Sequence, residues 1–199
     1  MYDLPSEDSQ EPGLPDEFHH LQPQLLSRTL LLAGYSRNNY FTASDLNLYY
    51  DTKHPLWCKR PDWFLVVDVP RLYDGHDLRR SYVLWQEDKA PDVVVEFISP
   101  GTEAEDLGSF YDESARIADD SPTLPAATEP TEQIQSFTRP PRKFEVYERS
   151  LRVPHYIVYN RYSQRLRYFK LSGGRYQEQS LQAKSPSIWL SELEIGLGI

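Results

Sequence analysis

The chain has 199 residues, a length that fits one domain with appendages better than two domains. Hydrophobic residues make up 39% of the chain and aromatic residues 13%, which is enough for a packed core. One cysteine, Cys58, excludes an internal disulfide framework, and no apolar run is long enough to span a membrane. The N-terminus is acidic and has no signal-peptide pattern, so the composition predicts a soluble cytoplasmic protein.

The net charge of −9 is distributed unevenly along the chain. Residues 1–17 carry six acids and no base, and residues 102–142 carry nine acids and three arginines. Each of these segments has a net charge of −6, so the remainder of the chain has a net charge of +3. A mildly basic core permits a polyanionic partner but does not prove one.

In chain order, the first predicted unit is a disordered acidic tail over 1–17, and a single domain follows over 18–199. Leucines at helical spacing predict a helix over 21–32. Strands are predicted for the aromatic-rich segment 40–51 and for three segments that follow it. These are 63–67, 81–86 and 91–100.

The pattern of alternating elements stops between 102 and 142, where proline, threonine and acids predict an acidic, Pro-rich insert. After the insert we expect a helix over 143–151 and a strand over 155–160. A hairpin follows, with strands at 164–171 and 175–179 around Ser172-Gly173-Gly174. This order predicts an α/β or α+β fold with one central mixed sheet.

Glu96 is the most informative residue, because it interrupts an otherwise apolar and strand-forming run, Pro91 to Pro100 (PDVVVEFISP). An unpaired carboxylate inside a buried strand costs several kcal/mol. Glu96 therefore needs a cation, a hydrogen-bond donor or a metal ion.

Two Pro-Asp dipeptides each precede an apolar strand and supply Asp62 and Asp92. Adjacent strands would bring Asp62 close to Glu96, and the period of two places Asp92 and Glu96 on one face of their strand. Lys143 shares a helix face with Tyr147, four residues later. Carboxylates can hold Mg²⁺, and a lysine can stabilise the nucleophile or the developing charge. The combination is typical of a metal-dependent phosphodiesterase.

These motifs, in this order, resemble the Uma-type family of putative endonucleases, long catalogued as a domain of unknown function. The resemblance covers roughly residues 20–180 and implies a restriction-endonuclease-like core of the PD-(D/E)xK nuclease superfamily, with a central mixed sheet flanked by helices. The matching segments are Arg60-Pro61-Asp62, residues 91–100 (PDVVVEFISP), Asp106-Leu107-Gly108, residues 143–147 (KFEVY) and residues 153–159 (VPHYIVY).

The resemblance implies catalytic roles for Asp62, Glu96 and Lys143. Asp62 and Glu96 would be metal ligands, with Asp92 as a weaker candidate. Ile98 occupies the position where the superfamily usually has its lysine, so that role would pass to Lys143. The implied activity is Mg²⁺- or Mn²⁺-dependent hydrolysis of phosphodiester bonds, with DNA as the partner.

Three departures from the family pattern favour an alternative, a catalytically silent nuclease-like scaffold that binds protein or nucleic acid. The first predicted helix has no convincing acid, where many relatives of the wider fold have one. The acidic insert separates Gly108 from Lys143, where relatives have a short link. Asn160 stands where the family usually has aspartate.

Simpler interpretations of the same residues also exist. Asp62 and Asp92 could be strand-start residues that accept backbone hydrogen bonds, and Glu96 could belong to a buried ion pair. We expect the His19-His20 pair beside the tail to be solvated and Cys58 to be structural. A homodimer is compatible with this fold, although no residue indicates one.

Overall fold

The computed structural model describes residues 16–99, 101–111, 139–182 and 184–199. The predicted tail lies outside these residues except for Asp16 and Glu17, and so does the stretch 112–138 of the predicted insert. Within the described part of the chain, no helix is long and apolar enough to cross a membrane.

The helices of the described residues are short apart from the first. They are α1 (Glu17–Thr29), α2 (Leu84–Glu87), α3 (Glu103–Leu107) and α4, which begins as an α-helical turn at Lys143–Glu145 and continues as a π-helical turn at Val146–Ser150. Short 3₁₀ turns lie at Arg37–Asn39 and Gly108–Phe110.

The strands of the described residues fall into three sheets. They are β1 (Tyr40–Ala43), β2 (Leu48–Tyr49), β3 (Cys58–Lys59), β4 (Trp63–Val67), β5 (Tyr82–Val83), β6 (Val93–Phe97), β7 (His155–Asn160), β8 (Arg165–Ser172), β9 (Arg175–Gln179), β10 (Ser187–Leu190) and β11 (Ile195–Gly198). The main sheet has the order β1-β4-β6-β7-β8-β9. Only β6 and β7 run parallel in it, so the predicted α+β fold with a mixed central sheet is confirmed.

Several predicted elements differ from the observed ones in their bounds. The helix expected over 21–32 begins four residues earlier, because Asp16 caps it by accepting a hydrogen bond from the His19 backbone N–H at 3.0 Å. The strand expected over 40–51 is two strands in different sheets, since Asp45 turns the chain with a φ of 53°. The segment 81–86 starts as β5 but turns into α2. Strands β4 and β7 have the predicted bounds.

The start of the predicted insert forms a helix that the sequence analysis does not predict, α3 at Glu103–Leu107. The hairpin of β10 and β11, which the sequence analysis does not predict, covers part of one sheet face.

The main sheet separates two apolar clusters, and its central strands are buried on both faces. Alternate residues of a strand point to opposite faces. Val93 and Val95 accordingly pack toward the β10-β11 hairpin, whereas Val94 packs toward α4. Glu96 shares the face of Val94 and therefore points toward α4.

Gly108 fixes the contact between α3 and α4. Its φ is 51°, and a Cβ atom built there would lie 2.5 Å from Cδ1 of Phe144. The Phe144 ring is buried against the rings of Tyr156 and Phe169, so it has little room to move aside. Only glycine fits at this distance from the ring. The close contact fixes the position of Phe144, the residue that follows Lys143.

We expect Gly108→Ala to lower the free energy of unfolding by about 2–6 kcal/mol. About 1–3 kcal/mol comes from the backbone conformation, with a φ of 51° and a ψ of −122°, which a residue with a Cβ atom rarely adopts, and about 1–3 kcal/mol comes from overpacking against Phe144. Gly173→Ala is the matched control, since Gly173 has a φ of 59° but no atom near its added Cβ. Urea unfolding measures both variants, and an equal loss in the two would contradict the packing argument.

Candidate active site

Glu96 lies near the C-terminal end of β6 with a fully buried side chain. Its Oε1 accepts a hydrogen bond from the Tyr147 hydroxyl at 2.6 Å, and its Oε2 accepts one from the Lys143 ammonium at 3.0 Å. Both donors come from the segment 143–150, on the helix face predicted from their spacing. The buried carboxylate thus has a cation and a neutral donor, as its burial requires.

Asp62 lies beside Glu96, immediately before the neighbouring strand β4. Its backbone N–H donates to Glu96 Oε2 at 3.2 Å, and its own Oδ2 accepts a hydrogen bond from the Phe97 N–H at 2.6 Å. These two bonds run in opposite directions between the strand ends. The structure therefore brings Asp62 and Glu96 together, as the sequence analysis predicts.

Asp92 lies at the opposite end of the same pair of strands. Its Oδ2 accepts a hydrogen bond from the Val67 N–H at 2.8 Å, and its Oδ1 pairs with Lys89 at 3.1 Å. Four residues of strand, about 13 Å, separate it from Glu96. The structure does not bring Asp92 into the cluster, because a shared strand face does not imply proximity along the strand. Its contacts match the simpler interpretation of a residue that accepts backbone hydrogen bonds.

Asp106 is a buried carboxylate that the sequence analysis does not select. It lies on α3, its Oδ2 accepts a hydrogen bond from the Thr102 hydroxyl at 3.0 Å, and its Oδ1 lies 3.7 Å from the Lys143 Nζ. Oδ1 is buried and has no hydrogen-bond partner among the described residues. The signal that could have identified it is the motif Asp106-Leu107-Gly108. Its position inside the predicted insert concealed its burial.

Charge in the site centres on Lys143. Burial disfavours its ammonium form, but the carboxylates of Glu96, Asp106 and Asp62 outweigh burial and hold the pKa of Lys143 above its ordinary value. Burial raises the pKa of Glu96 and that of Asp106 to about 7 each, against the opposing effect of the lysine. Burial also raises the pKa of Asp62. Lys143 is therefore a permanent positive charge at neutral pH.

Glu105 holds the backbone of Lys143 in place. Its Oε1 accepts a hydrogen bond from the Lys143 backbone N–H at 2.8 Å and another from the Lys59 ammonium at 2.6 Å. These contacts tie the first residue of α4 to α3 and β3.

His19 closes one side of the strand end that carries the cluster. Its Nδ1 contacts Asp16 Oδ1 at 2.7 Å, and its Nε2 contacts the Phe97 carbonyl oxygen at 2.9 Å and Ser99 Oγ at 3.1 Å. The expectation of a solvated His19-His20 pair is therefore wrong for His19, although His20 is exposed. The reason is the earlier start of α1, which packs His19 against the end of β6.

Among the described residues, no three His, Cys, Asp or Glu side chains form a group that could hold a metal ion. The chemistry of the donors nevertheless suits a hard divalent cation, because they are carboxylate oxygens. Asp106 Oδ1 is the carboxylate oxygen of this cluster that is buried without a hydrogen-bond donor among the described residues, so it is the one that a cation would satisfy. The lysine ammonium, within 4 Å of both Glu96 and Asp106, provides the positive charge there.

The mixed sheet, with acids and a lysine gathered at the end of its central strand, defines a restriction-endonuclease-like class of protein. A comparison with known families agrees, since the profile of the Uma2 family, described as "Putative restriction endonuclease", matches residues 2–198. The chain belongs to this family. A search among curated proteins found no match.

The raised pKa values predict how pH affects the metal-free protein. A carboxyl group with a raised folded-state pKa contributes stability that is complete below its unfolded pKa and lost as pH rises through the folded pKa. For Glu96 and Asp106 this window extends from about pH 4 to about pH 7. Glu96→Gln and Asp106→Asn should each flatten the loss of stability across it.

Chemical denaturation in EDTA at several pH values measures this effect. Asp88→Asn is the control, because Asp88 is an exposed carboxylate outside the cluster. A Glu96→Gln variant that keeps the wild-type dependence on pH would show that the cluster does not titrate in this window.

Proposed function

We propose that the chain is a metal-dependent endonuclease that hydrolyses phosphodiester bonds in DNA. The observation that carries the proposal is the gathering of Glu96, Asp106 and Asp62 around the ammonium of Lys143. Membership of the Uma2 family supports a nuclease-like function. The positive balance of the chain outside its two acidic segments supports a polyanionic substrate.

Glu96 and Asp106 are the proposed metal ligands, and Asp62 is the third candidate. Mg²⁺ or Mn²⁺ bound there would lower the pKa of a water molecule and neutralise charge on the phosphate. Asp62 also holds the end of β6 through its bond to the Phe97 N–H, so it orients Glu96 in either role.

Lys143 would act as a fixed cation. Because the pKa of its ammonium lies above the ordinary value, it cannot take a proton from water at neutral pH. It can donate hydrogen bonds to the attacking water or to the phosphate oxygens, and it can balance the charge that develops in the transition state. Tyr147 fixes the orientation of Glu96 by donating a hydrogen bond from its hydroxyl to Oε1.

A catalytically silent scaffold is the second candidate function. It is favoured by one observation, namely that the described residues contain no group of three metal-binding side chains. The lysine would then serve only as the counterion of buried carboxylates. This candidate predicts a folded, nuclease-like protein that binds a partner without cleaving it.

Cleavage of plasmid DNA in Mg²⁺ or Mn²⁺ tests the proposed activity. We expect Glu96→Gln and Lys143→Met each to reduce the rate at least about 100-fold, as the loss of a group that stabilises the transition state usually does. Asp92→Asn is the matched control, since Asp92 has the same Pro-Asp context but lies away from the cluster, and it should retain activity. Wild-type rates in both Glu96→Gln and Lys143→Met would exclude this site.

Thermal unfolding with added metal separates the two candidate functions. A ligand at about 100 times its Kd stabilises the folded state by about 2.7 kcal/mol, or roughly 5–10 °C for a chain of this size. We expect Mg²⁺ or Mn²⁺ to raise the midpoint of the wild type and of Asp92→Asn, but not that of Glu96→Gln. An unchanged wild-type midpoint at saturating metal would favour the silent scaffold.

A further inference from the structure

A dense cationic segment immediately precedes and includes the site lysine. Arg139-Pro140-Pro141-Arg142-Lys143 contains three cations in five residues. The side chain of Lys143 belongs to the cluster, whereas Arg139 and Arg142 are exposed. Neither arginine forms an ion pair with any other residue in the described ranges. Within the described residues, two exposed guanidinium groups without an ion-pair partner therefore lie close to the site lysine along the chain.

The peptide group that joins Arg142 to Lys143 is held by two hydrogen bonds. Its carbonyl oxygen accepts a hydrogen bond from the Val146 N–H at 3.0 Å. The next N–H, that of Lys143, donates to Glu105, which Lys59 holds in turn. Arg142 itself is extended, with a φ of −59° and a ψ of 154°. The two preceding prolines restrict the chain further. The backbone of such a segment loses little conformational entropy when it binds a ligand.

The spacing of these charges matches a nucleic-acid strand. Arg142 is one residue from Lys143, about 3.8 Å between Cα atoms, and Arg139 is at most about 14 Å from it. A DNA strand carries one phosphate per about 3.4 Å of helix axis. The spacing of the three cations along the chain is therefore on the same length scale as the spacing of neighbouring phosphates along a strand.

We propose that Arg139 and Arg142 bind the phosphate backbone of DNA on one side of the bond to be cleaved. This inference rests on the proposed function of the cluster. Guanidinium groups suit phosphate because they can donate two parallel hydrogen bonds to it. Contacts of this kind set the position of the strand and read no sequence. A local cationic surface is also needed in a chain whose net charge is −9.

The salt dependence of DNA binding tests this proposal directly. The full-length protein is titrated into a fluorescent DNA duplex in EDTA, and separately in Ca²⁺, at several salt concentrations. Each phosphate contact contributes about 0.9 to the slope of log affinity against log salt. We expect Arg139→Ala/Arg142→Ala to reduce that slope by about 2. Between 50 and 200 mM salt, the wild type should therefore lose about 10-fold more affinity than the variant.

Two matched double variants control for charge and for general effects. Arg139→Lys/Arg142→Lys keeps both charges and should keep most of the slope. Arg28→Ala/Arg152→Ala removes two exposed arginines elsewhere and should leave the slope unchanged. A wild-type slope in Arg139→Ala/Arg142→Ala would overturn the proposal, and so would an absence of duplex binding by the wild type in both buffers.

Measuring cleavage alongside the salt slope distinguishes a failure of the arginine surface from a failure of the proposed nuclease function. A wild type that cleaves DNA, combined with an unchanged slope in the alanine variant, rejects the arginine surface and leaves the nuclease intact. A reduced slope in a protein that never cleaves supports the surface and rejects catalysis.

Discussion

The buried ion pair between Glu96 and Lys143 is the interaction on which the rest of this structure depends. A carboxylate with no exposure to solvent is tolerable only if a cation and further donors satisfy it. Because of that requirement, the first residue of α4, Lys143, must lie over the end of β6 that carries Glu96. Gly108 allows α3 to approach closely enough, and Glu105 holds the Lys143 N–H. The same pairing keeps the lysine charged, so in the proposed function Lys143 can act only as a fixed cation.

The two Pro-Asp dipeptides have the same structural role, but only one of them lies at the candidate site. Asp62 and Asp92 each accept a hydrogen bond from a backbone N–H near the end of the opposing strand, Phe97 for one and Val67 for the other. Because β4 and β6 are antiparallel, the two aspartates lie at opposite ends of the strand pair. Only the Asp62 end also carries Glu96. A Pro-Asp motif by itself therefore indicates a strand-end hydrogen bond, and its position relative to a buried acid indicates a site.

The sequence predicts the centre of the fold well, because β4, β6 and β7 are short apolar runs with distinct ends. It also predicts the association of Glu96 with Lys143, since ordered motifs carry that information. The sequence does not reveal the burial of Asp106, because the helix that carries it borders a segment without periodicity. It does not exclude Asp92 from the site, because a period of two specifies the face of a strand but not the distance along it. It does not predict the burial of His19, because an acidic segment gives little indication of where a helix cap forms.

The proposed function requires that the cluster around Lys143 bind a divalent metal ion. A crystal structure of the wild-type protein at saturating Mn²⁺, with anomalous diffraction from the metal, tests this requirement most directly. A metal site should give a manganese peak in contact with the carboxylates of Glu96 and Asp106, with the Lys143 ammonium moved away from Asp106. An ordered cluster with no manganese peak and with the Lys143 ammonium still 3.7 Å from Asp106 Oδ1 would contradict the proposal.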